Sequence, residues 1–318
     1  MRIEIIVTHG QRPERIDTFL GHSIENASRS KVRQAIDAGK VWVNDKITKP
    51  SYLVKPGDIV VIEIPRTEKR PAESEDIPLD IVYEDDDLLI VNKPAGMTVH
   101  PGHGNYSGTL VNALLHHCNA LANQEDAIRP GIVHRIDKNT SGLLVAAKND
   151  RAHRLLANQF KNKTTTREYW AIVWGTFKNS TGTIEGDIAR HPKDRKKFAV
   201  VPGGKNALTT YEVLEHFEFA SLVKCVLHTG RTHQIRVHFA HINHPVFGDT
   251  TYGGRQVVYG GTEAKHRQRV ENLLEIMPRQ ALHARTLGFV HPTTRKRMEF
   301  TAELPDDMAV LLKKLGSS

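Results

Sequence analysis

The sequence predicts an α+β protein in two parts, a small N-terminal unit over residues 12–66 and a larger domain over 79–318, joined by a polar segment, 67–78. Three observations carry that reading. Helical and strand-like patterns alternate in the first part and end in the β-branched run Ile59-Val60-Val61-Ile62. The joining segment sets Pro71 and Pro78 among alternating charges, a linker composition. Beyond it, apolar runs of strand length recur between helical stretches, with no internal repeat and no low-complexity tract.

In the first part, Ile16, Phe19 and Leu20 fall at helical spacing after Glu14-Arg15 and predict a short helix. Ser30 is placed to cap a second helix over 31–38, and Gly39, tolerant of positive φ, ends it. Val41-Trp42-Val43-Asn44 reads as a strand, Asn44-Asp45 as a turn leading to Ile47, and Lys55-Pro56-Gly57-Asp58 as a tight turn before a strand over 59–64. The cations Arg29, Lys31, Arg33, Lys40 and Lys46 gather around the second helix and the hairpin. On a small domain such charges are usually a solvated face, but here they lie beside a helix N-terminus, which itself favours phosphate.

In the second part, strand-like runs recur at 88–91, 142–147, 169–173, 222–227 and 298–302, while 106–115 and 150–160 look helical. The richest loop precedes the second run: His134-Arg135-Ile136-Asp137-Lys138-Asn139-Thr140-Ser141-Gly142 places one carboxylate between two cations. Opposite charges favour the ionised form of a carboxylate, which suits a nucleophile or an electrostatic stabiliser better than a proton donor. Leu143-Leu144-Val145-Ala146-Ala147 behind it would hold the loop rigidly; the plain alternative is a charged surface turn. Lys93, in a Lys-Pro-Ala-Gly turn, is placed to contact a phosphate or simply to solvate the turn. Along 167–173, Arg167, Tyr169, Ala171 and Val173 share one strand face. Thr229-Gly230-Arg231-Thr232-His233-Gln234-Ile235-Arg236-Val237-His238 gathers donors enough to surround a polyanion or a catalytic carboxylate, and Arg279-Gln280-Ala281-Leu282-His283-Ala284 reads as a helix or strand edge packing on the same site. A basic run, Arg190, Lys193, Arg195, Lys196 and Lys197, lies between 188 and 200.

Net charge is +8, which favours a polyanionic partner, while aromatic residues at 6% argue against single-strand binding built mainly on stacking platforms. Two cysteines make neither a disulfide framework nor a thiolate zinc site. The opening residues are too charged for a signal peptide and no apolar run reaches membrane-spanning length, so the chain is expected to be soluble and cytoplasmic. The 18 histidines raise metal hydrolysis as a rival. His238, His241 and His244 fall at helical spacing, but no glutamate joins them in a His-Glu-x-x-His pattern, and adjacent His116 and His117 would point apart on a helix.

Two resemblances follow from these residues. The first part, through Arg15-Ile16-Asp17, Ser28-Arg29-Ser30, Gly39 to Asn44 and Pro56-Gly57-Asp58, resembles the S4 domain of αL type. That implies a module gripping structured RNA, with Arg29, Lys31, Arg33 and Lys40 as its contacts. The second part resembles the RluA family of pseudouridine synthases through His134 to Leu144, Arg167-Glu168-Tyr169 and Thr229 to His238, with Ile136 standing where the family has leucine. The resemblance implies a catalytic domain with a mixed, largely antiparallel central sheet, and isomerisation of uridine to pseudouridine without cofactor, metal or energy source. It assigns Asp137 as the catalytic aspartate, Tyr169 as the tyrosine lying against the uracil and a candidate base for the C5 proton, and Arg236 as the partner of the carboxylate. Arg135 would displace the target base from its stack; His134, Arg231 and Lys93 would lie at the substrate. Attack of Asp137 on C1′ or on C6, or assistance of a glycal route, is each compatible with these residues. The segment 188–207 resembles RluD-type members, which implies large-subunit (23S) ribosomal RNA as partner, the loop of helix 69 as the site, and Arg190, Arg195 and Lys196 as phosphate contacts. A monomer is expected. The rival within the fold is an inactive RNA-binding assembly factor; other rRNA or tRNA sites are the rival substrates.

Overall fold

A computed structural model describes residues 2–24, 29–63, 71–102, 104–122, 128–256 and 264–317. They form two compact units, described separately.

The small unit is a four-stranded antiparallel sheet with two helices. In chain order it comprises β1 (Arg2–Ile6), α1 (Ile16–Ser23), α2 (Arg29–Asp37), β2 (Val41–Val43), β3 (Lys46–Ile47) and β4 (Ile59–Glu63), with strand order β1-β4-β2-β3. Ile16, Phe19 and Leu20 of α1 and Val32 and Ile36 of α2 pack on Val41, Val60 and Ile62 of the sheet. β1 extends this unit ahead of residue 12: Arg2 to Ile6 pairs in full with Glu63 to Ile59. Asn44 and Asp45 both take positive φ (49° and 65°), the combination that twists a two-residue hairpin to match its strands. Asn44 then donates to Asp58 Oδ1 and accepts from the Ile59 amide, each at 2.9 Å, so the two turns lock each other. Ser30 is not a cap. α2 already includes Arg29, so Ser30 sits in the first turn, where amide donors lack intrahelical partners in any case. The side chains of Arg29 and Ser30, and residues 25–28, lie outside the described residues.

The large unit is organised on a ten-stranded sheet. Its elements are β5 (Ile81–Glu84), β6 (Leu88–Lys93), α3 (Leu110–His117), β7 (Ser141–Ala147), α4 (Asp150–Lys161), β8 (Thr166–Trp174), β9 (Thr181–Arg190), β10 (Phe198–Val200), β11 (Lys205–His216), β12 (Ala220–Leu227), α5 (Gln234–His241), α6 (Ala264–Ile276), β13 (Leu282–Val290), β14 (Arg297–Thr301) and α7 (Asp306–Gly316). The sheet runs β10-β9-β11-β12-β8-β13-β7-β6-β5, with β14 paired to β13. Every pairing is antiparallel except β7 with β13, so the sheet is mixed and largely antiparallel.

β7 lies at the centre of the architecture. Leu144 and Ala146 enter the core shared with α3, α5, α6 and α7, while Leu143, Val145 and Ala147 enter the core under α4. Burial on both faces explains why the strand reads as an unbroken apolar run. α4 is amphipathic and starts under an Asn149 cap that accepts from the Ala152 amide at 2.9 Å. α3 starts at Leu110, later than the expected residue 106, because Thr109 and Asn112 form a reciprocal capping box that sets the first turn. Among the described residues no helix is long and apolar enough to cross a membrane.

Candidate active site

Asp137 stands in the loop that leads into β7. Its own carbonyl accepts from the Thr140 amide at 3.1 Å, which curls the loop, and the Lys138 carbonyl accepts from the Gly96 amide at 2.9 Å. Gly142 terminates the loop with φ +115°, and a Cβ there would stand 2.3 Å from the Ala284 carbonyl oxygen. Only glycine lets β7 and β13 approach this closely.

Arg236 comes from the first turns of α5, behind His233 in the left-handed region (φ 56°). Its Nη1 donates to Asp137 Oδ2 at 3.0 Å, while Nε and Nη2 grip Asp249 at 2.6 and 2.9 Å. Arg236 is 5% exposed and Asp249 fully buried. Burial opposes the charge on Arg236, but the pairs with Asp249 and Asp137 outweigh it and raise the arginine above its ordinary value. A guanidinium bound bidentately on one side has its third nitrogen fixed in direction, so Asp249 aims Arg236 at Asp137.

Tyr252 completes this corner. The Arg236 guanidinium lies 5.0 Å from its ring centroid, and its hydroxyl accepts from the Phe198 amide at 3.0 Å and meets His233 Nδ1 at 2.8 Å. The arrangement that pairs every proton has the phenol donating to Nδ1, with Nε2–H facing Asp137 Oδ1 at 3.9 Å. Burial lowers His233 below its ordinary value, and nearby Asp137 only partly offsets this. Sequence reasoning missed Asp249 and Tyr252. The available signal was an acid inside Gly248-Asp249-Thr250-Thr251-Tyr252-Gly253-Gly254: a Cβ at Gly248 or Gly254 would strike the carbonyl oxygens of Arg279 and Val246.

Tyr169 lies on β8 and faces the same cleft as Asp137. It is 8% exposed, and burial pushes its hydroxyl up to about 12, so it is a neutral phenol at physiological pH. The cleft holds about 550 Å³, within the roughly 300–1,000 Å³ of small-molecule sites, and Arg135, Arg167, Arg231 and Arg236 also line it.

The remaining predicted residues divide. Arg135 is exposed at the cleft, its Nη1 3.4 Å from His100 Nε2. Arg231 lines the cleft and donates from Nε to the Asn206 carbonyl at 3.0 Å. His134 also lines it, yet its Nε2 accepts from the Val145 amide at 3.1 Å and its ring stacks on Phe160 at 4.3 Å. That acceptor role requires the neutral ring, and burial pushes the group down to about 3. Lys93 is a correction: it neither solvates a turn nor reaches a phosphate. It is fully buried and donates to the carbonyls of Pro94, Met97 and Lys138 at 2.7, 2.8 and 3.1 Å, so it ties down the loop next to Asp137. A buried ammonium needs acceptors, and backbone carbonyls supply them here.

The basic segment is the loop between β9 and β10. Arg195 and Lys196 are exposed; Arg190 donates to the Arg195 carbonyl at 2.6 Å and lies 5.1 Å over the Phe198 ring. Phe198 in turn meets His233 edge-on at 5.7 Å, which places this loop beside the cleft. In the small unit, Lys31, Arg33 and Lys40 are exposed, and Arg33 pairs with Asp37 at 4.0 Å. The histidine groups separate: His238 bonds Thr209, His244 the Trp174 carbonyl, and His117 pairs with Glu84. Among the described residues, no group of three or more His, Cys, Asp or Glu is placed to hold a metal.

Residues 87–241 match the RNA pseudouridylate synthase family and residues 14–60 the S4 domain. An uncharacterized RNA pseudouridine synthase of Bacillus subtilis is 47% identical over 99% of this chain and 98% of its own length. Ribosomal large subunit pseudouridine synthase D of Escherichia coli K12 is 42% identical over 98% of this chain and 94% of its own. Among solved structures, human RNA pseudouridylate synthase domain containing 1 superposes with a TM-score of 0.55 at 26% identity, covering 77% of this chain and 97% of that one.

Proposed function

The chain belongs to the RNA pseudouridylate synthase family, and on that premise we propose that it converts uridines of large-subunit ribosomal RNA to pseudouridine, with Asp137 as the catalytic carboxylate. The observation that carries the assignment is the Arg236 bridge, which brings a residue 99 positions away to within 3.0 Å of Asp137 in a cleft that Tyr169 also lines. The isomerisation breaks the C1′–N1 bond, turns the uracil and joins C1′ to C5. C5 loses its proton and N1 gains one, with no net change of oxidation state, so the reaction calls for no external oxidant or reductant.

To reach the cleft the uridine leaves its stack, at a cost of a few kcal/mol. Exposed Arg135 takes the vacated place, where a planar guanidinium stacks on the remaining bases. Tyr169 lies against the uracil as a neutral ring; with a hydroxyl near 12, its phenolate is a strong but scarce base for the C5 proton. Arg236 holds Asp137 in one orientation for its attack. Arg190, Arg195 and Lys196 beside the cleft, and Arg29, Lys31, Arg33 and Lys40 in the S4 unit, contact phosphates. The loop of helix 69 is the proposed site, on the resemblance of segment 188–207 to RluD-type members, while the names of relatives 41–44% identical support the large ribosomal subunit alone.

The test is Asp137→Asn. Pseudouridine formation on 23S ribosomal RNA should be abolished while RNA affinity stays near that of the unaltered protein; retained turnover would overturn the mechanism. Carbodiimide mapping of rRNA from cells lacking the protein names the site, and unchanged helix 69 uridines there would exclude that loop.

A further inference from the structure

The C-terminal helix reaches the Asp137 loop through a partly buried ion pair that none of the chemistry above uses. Arg279, 7% exposed, precedes β13 and grips Asp307 through Nε and Nη2 at 2.6 and 2.7 Å. Asp307 lies in the first turn of α7, where a carboxylate is favoured by the free amides, and its Oδ1 accepts from the Met308 amide at 2.8 Å. α7 is anchored independently by Met308, Leu311 and Leu315, all buried in the main core.

With two of its nitrogens committed to Asp307, Arg279 turns the third, Nη1, to the Asn139 carbonyl at 3.1 Å, two residues beyond Asp137. Nη1 also meets the carbonyls of Gln280 and Leu282 at 3.1 and 3.4 Å, and Nη2 lies 3.4 Å from Ser141 Oγ. The neighbours of Arg279 continue the pattern. Gln280 donates to Thr140 Oγ1 at 3.3 Å, and His283 Nδ1 meets Ser141 Oγ at 2.9 Å. Residues 139, 140 and 141 are thus each held from the segment 279–283, while Lys93 holds 138.

We propose that the Arg279–Asp307 pair is a positioning device for the known reaction: α7 fixes the direction of Arg279, and Arg279 fixes the height at which the loop presents Asp137. The geometry repeats that of Arg236, a guanidinium gripped by one carboxylate so that its remaining nitrogen points one way. Here that nitrogen meets backbone rather than the reacting group. Arg279 and Asp307 are positioning residues and touch no substrate. The inference rests on Asp137 being the catalytic carboxylate.

Asp307→Asn keeps the size of the side chain and removes half of its acceptor capacity, so Arg279 loses its fixed direction. Single-turnover rates at saturating enzyme are independent of how much of a preparation is folded, which separates positioning from simple stability. The expected result is a rate lower by about 10- to 100-fold, the cost of misplacing a reacting group by an ångström or less, with RNA affinity unchanged. Arg279→Lys is the second variant. It keeps the charge but cannot reach Asp307 and Asn139 together, so it should fold and show the same loss of rate without loss of affinity. Rates equal to the unaltered enzyme in folded Arg279→Lys or Asp307→Asn overturn the proposal. So does a rate that falls only in step with RNA affinity. Failure of the underlying reading is distinguished by Asp137→Asn, whose retained activity would displace the catalytic assignment and leave the loop contacts untouched.

Discussion

Replacing Asp249 by asparagine tests the electrostatic frame of the site. The carboxylate is fully buried and accepts four N–H groups: Arg236 Nη2, Thr251 N and Tyr252 N at Oδ1, at 2.9, 2.8 and 3.2 Å, and Arg236 Nε at Oδ2, at 2.6 Å. An asparagine carbonyl in the Oδ1 position retains three of these, but its amide then faces Arg236 Nε–H, donor against donor. The charge-assisted bond lost there contributes about 1.5–3 kcal/mol. Arg236 also keeps a buried charge with one carboxylate fewer, and breaking a buried pair costs about 3–5 kcal/mol in all. Asp249→Asn should therefore lower the urea-unfolding free energy by about that amount. It should also slow single turnover by at least about 10-fold, because Arg236 no longer aims at Asp137. A loss below about 1 kcal/mol, the scale of an ordinary substitution, together with an unchanged rate would refute the argument.

Three further outcomes are expected. Gly142→Ala places a methyl 2.3 Å from the Ala284 carbonyl oxygen at φ +115°, so β7 and β13 must part; a thermal midpoint equal to that of the unaltered chain would contradict this. His134, His238 and His283 are pushed by burial down to about 3, 4 and 4 from 6.5, so the folded chain binds fewer protons than the unfolded one below pH 6.5. Their stability contribution is complete above 6.5 and falls as pH drops toward 4, with a slope of up to about 1.4 kcal/mol per unit for each, and urea midpoints equal at pH 7 and pH 5 would contradict it. Finally, Lys31→Gln with Lys40→Gln should weaken RNA binding and flatten its salt dependence by about one to two released counterions; an unchanged salt slope would remove the S4 unit from the RNA interface.

Much of this was legible in the sequence wherever local pattern and function coincide. The loop around Asp137 and the run Leu143 to Ala147 are contiguous, so carboxylate and supporting strand could be read together. Arg236 was identified as the partner of Asp137 through its motif, and the structure sets the pair at 3.0 Å. Asp249 escaped because its importance depends on a partner on another element and on burial, neither of which leaves a spacing in the sequence. Lys93 was misread for a related reason: a lysine in a turn is ordinarily solvated, and only the folded backbone supplies the three carbonyls that hold it inside. β1 was passed over because its charges argued only against a leader peptide, although Ile3 and Ile5, alternating with exposed Arg2, Glu4 and Ile6, face the small core.

One arginine is shared between Asp137 and Asp249, so the charge of Arg236 serves two carboxylates. Among the described residues, the cleft is otherwise lined by five cations, Arg135, Lys161, Lys163, Arg167 and Arg231, of which Arg135, Lys161 and Lys163 are exposed to solvent. Asp137 is the one carboxylate among those lining residues. A surface so charged raises the local concentration of a polyanion. Pairing with Arg236 therefore does more than aim Asp137: it offsets the single negative group that an approaching polyanion would meet there.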